Sequence, residues 1–392
     1  MKRVDLKGLG FDQGGHLLVK RALSALAVDE ALSVEGASPS LGVHLRGWCR
    51  ALGHGFEPAS DGHGGVVRRG AAEVGRWRGA LRAGAADEVA ADAAPHWGLA
   101  ARGSTVEAGV PEYDFALRSR AEAWVSDAPR LYAQGLAAQW DPATAVPWDT
   151  AFELDPDIED AVVQVMTYLI ENETAALVVP ARFASQMHPH YREVMQLLAL
   201  QAADEARHIE VFNRRALLKR DQPGLSTAGG QASLKTLIDE RDFAEATLLL
   251  SVLGEGSFLS LLHFLHQYGP DPITCEISRL AAQDEARHVA FGLSHLVEQA
   301  AEDDGLLDRL EDAIRRRHDV LAATAGLNEE VFDALVLIGA SAWDPDALRQ
   351  GWRRVQELEL AMHAGRRSRL MRLGYDDERA EELASLHTRN FM

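Results

Sequence analysis

The chain has 392 residues, enough for two or three domains that each bury a core, and its 47% hydrophobic and 25% charged residues are ordinary for a globular protein. A formal net charge of −19 speaks against general nucleic-acid or anionic-membrane binding, which needs a basic surface. Two cysteines, Cys49 and Cys275, make neither a disulfide framework nor a thiolate metal site, and no apolar leader opens the chain, so a reducing, cytoplasmic setting is expected. No membrane span is expected, because the long apolar run at 246–265 is interrupted by Glu255 and by glycine and histidine. Residues 1–84 read as a small α/β two-layer sandwich. Short strands at 4–6 and 31–34 alternate with helices at 17–26 and 41–52, the second closed by Gly53. Further strand candidates lie at 66–69 and 77–81.

Three stretches of this domain, VDLKGL at 4–9, VKRALSAL at 19–26 and HLRGWCRALGH at 44–54, resemble the TusA/SirA sulfur-carrier family. The family places a Cys-Pro pair just after the first stretch, and its cysteine carries a persulfide. Here those positions are Phe11 and Asp12. A phenyl ring cannot act as a sulfur nucleophile, so the expected role is an interaction or oligomerisation module with a protein partner. Residues 85–112, rich in Ala, Gly and Asp with little period, read as a linker. The rest, 113–392, reads as helical. Phe115, Leu117, Ala121 and Trp124 start a helical pattern that continues over 131–140, and a Pro-interrupted loop follows at 140–149. Four long helices at 157–187 (with a bend expected at Pro180), 190–220, 233–268 and 272–302 predict a four-helix bundle. The break at Pro223-Gly224 supplies a crossover. Helices at 304–324, 328–342, 346–372 and 376–388 predict a C-terminal helical extension.

One phrase occurs twice in the bundle: Asp204-Glu205-Ala206-Arg207-His208 and Asp284-Glu285-Ala286-Arg287-His288, 80 residues apart (204 against 284). Glu and His three apart share one helix face. Two such faces meeting put two carboxylates and two imidazoles around one point. A carboxylate di-metal site in a bundle also asks for one Glu from each of the other two helices. On the third helix, Glu255 is the single acid in the row Leu248, Val252, Glu255, Leu259, Leu262. On the first, Glu173 lies in the apolar row Val162, Met166, Leu169, Glu173, Ala176, whereas Glu171 lies in a polar row. Glu173 to Glu205 spans 32 residues and Glu255 to Glu285 spans 30, so both fit a hairpin that returns to the same level. Four buried glutamates would be untenable without cations, and two divalent ions would cancel their charge with the imidazoles neutral. Oxygen-rich ligation with one His per ion suits iron or manganese better than zinc. Asp204 and Asp284 are candidates to accept the free imidazole N–H groups. Arg207 and Arg287 read as inter-helix ion pairs, and His188 and His190 as solvent-facing or capping.

Residues 157–300 resemble the ferritin-like di-iron carboxylate superfamily through this doubled E…ExxH pattern. The resemblance implies Glu173, Glu205, His208, Glu255, Glu285 and His288 as metal ligands. It implies two Fe ions, with Mn/Fe or Mn as variants, and a non-haem oxidase or oxygenase acting with O2 on a small organic substrate. No cofactor-binding residue beyond these is expected, and the sequence names no catalytic residue beyond the ligands. Arylamine N-oxygenases of this superfamily have a further His one turn before the last Glu; here that position is Ala281, which points away from that group. No flavin or four-cysteine site is visible, so an external electron donor is expected, and so is a homodimer. Two other readings fit the same residues: a ferroxidase or peroxide-reducing protein, and a non-catalytic interaction scaffold stabilised by metal.

Overall fold

Leu32 and Val34, alternate residues of one short strand, are fully buried, and they place that strand at the centre of a small sheet. The computed structural model describes residues 1–322 and 329–386; the expected helix ends at 323–324, 328 and 387–388 lie outside the described residues. Two units form. The smaller comprises Met1–Arg82 with Thr105–Val110, and the larger Ala83–Ser104 with the chain from Pro111 onward.

In the smaller unit the order is β1 (Lys2–Asp5), α1 (Gly15–Ser24), β2 (Ala31–Glu35), α2 (Leu41–Leu52), β3 (Gly55–Pro58) and β4 (Gly64–Arg68). The sheet runs β1-β2-β4-β3, with β1 parallel to β2 and the other pairs antiparallel. Val19, Leu23, Leu45 and Cys49 from the two helices pack on Leu32, Val34 and Val67. This is the expected strand–helix alternation, with two differences. The strand β3 has glycine and proline at its ends, which hid it from a propensity reading. The strand expected at 77–81 is mostly turn; only β5 (Leu81–Arg82) pairs, with β6 (Thr105–Val106). Phe11 is buried in this core, edge-on to Trp48 at 5.6 Å between ring centroids. Burial pushes the Cys49 thiol up to about 11, as befits a packing residue rather than a nucleophile.

Of the segment expected as linker, 85–112, residues 85–104 and 111–112 belong to the larger unit and 105–110 to the smaller. Ala93 is fully buried, the Ala90 N–H donates to His190 Nε2 at 2.9 Å, and the Tyr191 hydroxyl donates to the Arg118 carbonyl at 2.9 Å. Its small side chains bring backbone close to the bundle, a kind of packing that leaves no periodic apolar signal. Those contacts also bury His188 and His190, against the solvent-facing expectation; His188 does cap its turn by accepting from the His190 N–H. The helix expected from 113 is reduced to α3 (Arg120–Ala123) and α4 (Ala128–Ala137).

The bundle is built by α5 (Pro156–Gln186), α6 (Arg192–Ala216), a third, composite helix from Phe243 to Tyr268, and α10 (Pro272–Glu302), with α7 (Ala228–Asp239) in the crossover. Asp155 and Asp271 cap α5 and α10 from just before Pro156 and Pro272, the favoured place for a helix-starting proline. Arg215 of α6 clips three elements at once, reaching Glu159 of α5 at 2.6 Å and the Asp271 cap at 2.8 Å, all buried. The predicted helix 233–268 is not continuous. After α7 the chain re-enters as α8 (Phe243–Thr247), passes through a π-helical stretch at Leu248–Glu255, and resumes as α9 (Gly256–Tyr268). Such stretches weaken the α ladder and concentrate at functional sites. Here the neighbours support it: Arg369 Nε donates to the Val252 carbonyl at 2.6 Å. Gly256 makes room for that guanidinium, and Gly292 of α10 lets Ser251 approach. Further helices α11 (Leu306–Ala322), α12 (Glu329–Ala340), α13 (Pro345–Leu373) and α14 (Asp377–Ser385) form the extension. The segments Pro156–Gln186 and Phe243–Tyr268 are long and apolar enough to cross a bilayer by length and composition, and 72% and 83% of their apolar windows are buried in the fold.

A methyl group at Gly292 would stand 2.7 Å from Ser251 Cβ, whereas one at the helical, exposed Gly47 meets nothing within 4 Å. Gly292→Ala is expected to cost about 1–3 kcal/mol by overpacking. Gly47→Ala should be neutral or stabilise by up to about 1 kcal/mol. Denaturant unfolding of the two variants checks the contrast.

Candidate metal centre

Each of the four bundle helices delivers one glutamate to a common depth, and all four are at least 96% buried. Glu173 comes from α5, Glu205 with His208 from α6, Glu255 from the last position of the π-helical stretch, and Glu285 with His288 from α10. Donor atoms of Glu173, Glu205, His208 and Glu285 all lie within 4.8 Å of one another, as do those of Glu205, Glu255, Glu285 and His288. Glu171, the alternative to Glu173, sits on the partly exposed flank of α5.

The two groups overlap in Glu205 and Glu285, and the overlap is nearly two-fold symmetric. His208 Nδ1 lies 3.0 Å from Glu205 Oε2, 3.4 Å from Glu285 Oε1 and 3.8 Å from Glu173 Oε2. His288 Nδ1 lies 3.0 Å from Glu205 Oε1, 3.4 Å from Glu285 Oε2 and 3.9 Å from Glu255 Oε1. Each shared glutamate thus turns one oxygen to each imidazole. Glu173 Oε1, Glu205 Oε1, Glu255 Oε2, Glu285 Oε2 and His288 Nδ1 are buried without a hydrogen-bond partner. Glu205 Oε1 and His288 Nδ1 are 3.0 Å apart and still not in line for a hydrogen bond. Lone pairs that crowd without bonding to each other aim at a shared third point. Four oxygens and one nitrogen orphaned in this way fit two cations of the hard or borderline kind, which would have Glu205 and Glu285 in common.

Behind the imidazoles, the aspartates of the repeated phrase are exchanged between helices. His208 Nε2 meets Asp284 Oδ2 at 3.2 Å, and His288 Nε2 meets Asp204 Oδ2 at 3.3 Å. An N–H donated there leaves each Nδ1 lone pair facing the cluster. Arg207 donates to both aspartates, at 2.6 Å and 2.7 Å, and Arg287 also reaches both. The loop after α4 adds two donors that no sequence signal marked. Gln139 Nε2 bonds Asp204 at 2.8 Å, and Trp140 Nε1 bonds Asp284 at 2.8 Å. The Trp140 ring lies nearly parallel to that of His208, under the Arg207 guanidinium. Gln201, one turn before Glu205, donates to Glu255 Oε1 at 2.8 Å; its place on the ligand face was readable, its partner was not.

Without cations, protons take over the neutralising role. Burial, then the charges of Glu205 and Glu285, push Glu173 well above the ordinary carboxylate range, and burial with Glu285 does the same to Glu255. Burial opposes ionisation of Glu205 too, but the His288 and His208 rings hold it below that range. Both histidines are raised well above their ordinary value: burial opposes this, and the Asp284 and Glu205 carboxylates outweigh it. Asp204 and Asp284 are lowered despite burial, by the histidine each one accepts from and, for Asp284, by Arg207.

A cavity of about 20 Å³ touches Glu173, Glu255 and Glu285 and is lined further by Asn172, Ala176, Leu237, Leu250, Gly254 and Phe258. It admits one small molecule such as water or O2. His263 and His266 are exposed and take no part. Tyr168 is buried and stacked on Phe258.

No protein-family model matches the chain, and no curated protein matches it by sequence. Among solved structures, a variant of an R2-like ligand-binding oxidase with a reconstituted Mn/Fe cofactor is 17% identical, with a TM-score of 0.43, over 60% of this chain and 92% of that one. Another variant, with an Fe/Fe cofactor, is 18% identical, with a TM-score of 0.43 and the same coverage. The R2-like ligand-binding oxidase from Sulfolobus acidocaldarius is 17% identical, with a TM-score of 0.39, over 69% and 96% of the two chains. Likeness at this level does not bear on activity; the ferritin-like bundle rests on the helix arrangement above.

Glu173, Glu255, His208 and His288 all hold protons more tightly folded than unfolded. Their stability is therefore present in full below the unfolded values, about 4.3 for Glu and about 6.5 for His, and is lost as pH rises toward the folded ones. Asp204, Asp284 and Glu205 have the opposite sign and lose their contribution below about pH 4. Metal-free protein is thus expected to melt at falling temperature as pH rises above about 6.5. A divalent ion at 100 times its Kd should flatten the slope and add about 2.7 kcal/mol. Thermal melts with and without Mn(II) across that range make the measurement.

Proposed function

We propose that the chain is a non-haem di-metal oxidase that uses O2 to oxidise a small organic substrate. Glu173, Glu205, His208, Glu255, Glu285 and His288 hold the two ions, taken to be iron, with Mn/Fe or Mn as variants. The observation that carries this reading is the pair of shared glutamates, each turned to both imidazoles with an oxygen left unbonded. Bound there, the metal pair would supply O2 activation and redox change. The chain supplies the rest. Glu205 and Glu285 hold the two positions at a fixed spacing. Asp204 and Asp284 retain the Nε2 protons and so keep the Nδ1 lone pairs toward the cluster. Ala176, Leu237, Leu250 and Phe258 keep the approach to Glu173 and Glu255 dry.

Electrons come from a separate donor protein on this reading. The smaller unit, TusA/SirA-like in sequence but with Phe11 packed into its core, serves as a docking module rather than a sulfur carrier. A homodimer in the cytoplasm completes the proposal. One observation favours a second reading, a ferroxidase or peroxide-reducing protein: the cavity at the cluster, about 20 Å³, holds O2 but no organic molecule without moving its walls.

Metal analysis and O2 uptake separate these. The expected result is two Fe or Mn ions per chain, with O2 consumption that rises when organic substrates are supplied. Glu205→Ala with His288→Ala should lose the metal and fall to the rate of free Fe(II). Full turnover on Fe(II) and O2 alone would replace the oxidase with the ferroxidase. Trace metal only, unchanged by the double substitution, would leave a scaffold.

A further inference from the structure

The two halves of the cluster agree in almost every contact. Their imidazole-to-carboxylate distances match to 0.1 Å or better, at 3.0, 3.4 and 3.8 Å against 3.0, 3.4 and 3.9 Å. Each histidine has an aspartate, and each aspartate has one donor from the 139–140 loop and shares Arg207 and Arg287. The halves differ at the terminal glutamates. Position 201 stands four before Glu205, and its counterpart four before Glu285 is 281. Gln201 is buried and donates to Glu255 Oε1 at 2.8 Å. Ala281 is fully buried and ends in a methyl group that can donate nothing. Glu173 accordingly keeps Oε1 without a hydrogen bond, and its other oxygen stands 3.8 Å from His208 Nδ1.

We infer that the two metal positions are inequivalent, and that Gln201 is the positioning residue that makes them so: the Glu255–His288 position takes the first ion, the Glu173–His208 position the second. This rests on the proposal above that the cluster binds two ions. Gln201 fixes Glu255 Oε1, the oxygen 3.9 Å from His288 Nδ1, and with it the orientation of the carboxylate, whose Oε2 is buried without a hydrogen bond. A carboxylate already held gives up little freedom when an ion arrives, whereas Glu173 must be ordered at that moment. Removing an outer partner of a ligand typically lowers metal affinity by about 10–100-fold. The shared Glu205 and Glu285 serve both positions and cannot discriminate between them. The later ion is then held by the terminal glutamate that has no counterpart of Gln201 to fix it; both terminal glutamates line the same small cavity.

Anaerobic titration of the metal-free full-length chain with Mn(II), followed by calorimetry and electron paramagnetic resonance, tests this. Wild type should bind two ions, the first about 10-fold or more tighter, and give an isolated hyperfine-split signal at one equivalent that collapses by spin coupling at the second. Gln201→Met keeps the volume and removes the donor. It should weaken the first constant by about 10–100-fold and abolish the singly occupied intermediate, with the fold checked by circular dichroism. If that variant does not fold, Gln201→Ser, too short to reach Glu255, carries the same expectation. Two ions bound with equal constants by wild type would overturn this inference and leave the metal centre standing, as would a Gln201 variant that keeps the wild-type intermediate. Wild type that binds no Mn(II) would overturn the metal centre itself.

Discussion

Uncompensated negative charge in an apolar interior is the constraint on which the rest of the larger unit depends. Glu173, Glu205, Glu255 and Glu285 enter the middle of the bundle with oxygens that meet no donor. The layer behind them cannot neutralise them, because its own charges already balance: two aspartates face two arginines. Water has little room, because the cavity at the cluster is only about 20 Å³. Cations, or protons on groups that would otherwise release them, are what remains. The helices around this cluster are accordingly held by features that do not rely on it. The Arg215 clip, the aspartate caps at 155 and 271 and the supported π-helical stretch fix the four levels independently.

The π-helical stretch shows how a small departure from regular geometry serves this arrangement. A wider turn shifts the helix register, and Glu255 is its last residue. The departure leaves Val252 with a carbonyl that the extension's Arg369 satisfies. The C-terminal helices thus have a part in placing a bundle glutamate. They are more than a cover over its apolar surface.

The cluster was legible in the sequence because its information is local. The doubled phrase, its i,i+3 spacing and the apolar rows through Glu173 and Glu255 all lie within single helices, and a helix face can be read from its period. The choice of Glu173 over Glu171 came from that period alone, and burial agrees with it. What escaped notice depends on distant contacts. Gln139 and Trp140 reach the aspartates from a loop whose sequence shows only prolines and turns. The break between α7 and α8 falls at a charged run, Asp239-Glu240-Arg241-Asp242, that an exposed helix face could equally carry, and the π-helical stretch lies in a run so uniformly apolar that no period marks it. Residues 85–112 read as linker because alanine and glycine pack through their backbone. Burial of His188 and His190 follows from that same segment.

The exchange of aspartates between the two phrases has a consequence for how the site could be damaged or inherited. Asp204 is covalently beside Glu205 but steadies His288, and Asp284 is beside Glu285 but steadies His208. Neither copy is a self-sufficient module, although each looks like one on paper. An injury to one helix is felt crosswise, at the imidazole carried by the other. A chain that kept one phrase intact and let the second drift would not retain half a site; it would leave the intact histidine without the group that orients it. The repeat is therefore held as a pair, and its identity over five residues reflects a mutual obligation between two helices rather than two parallel ones.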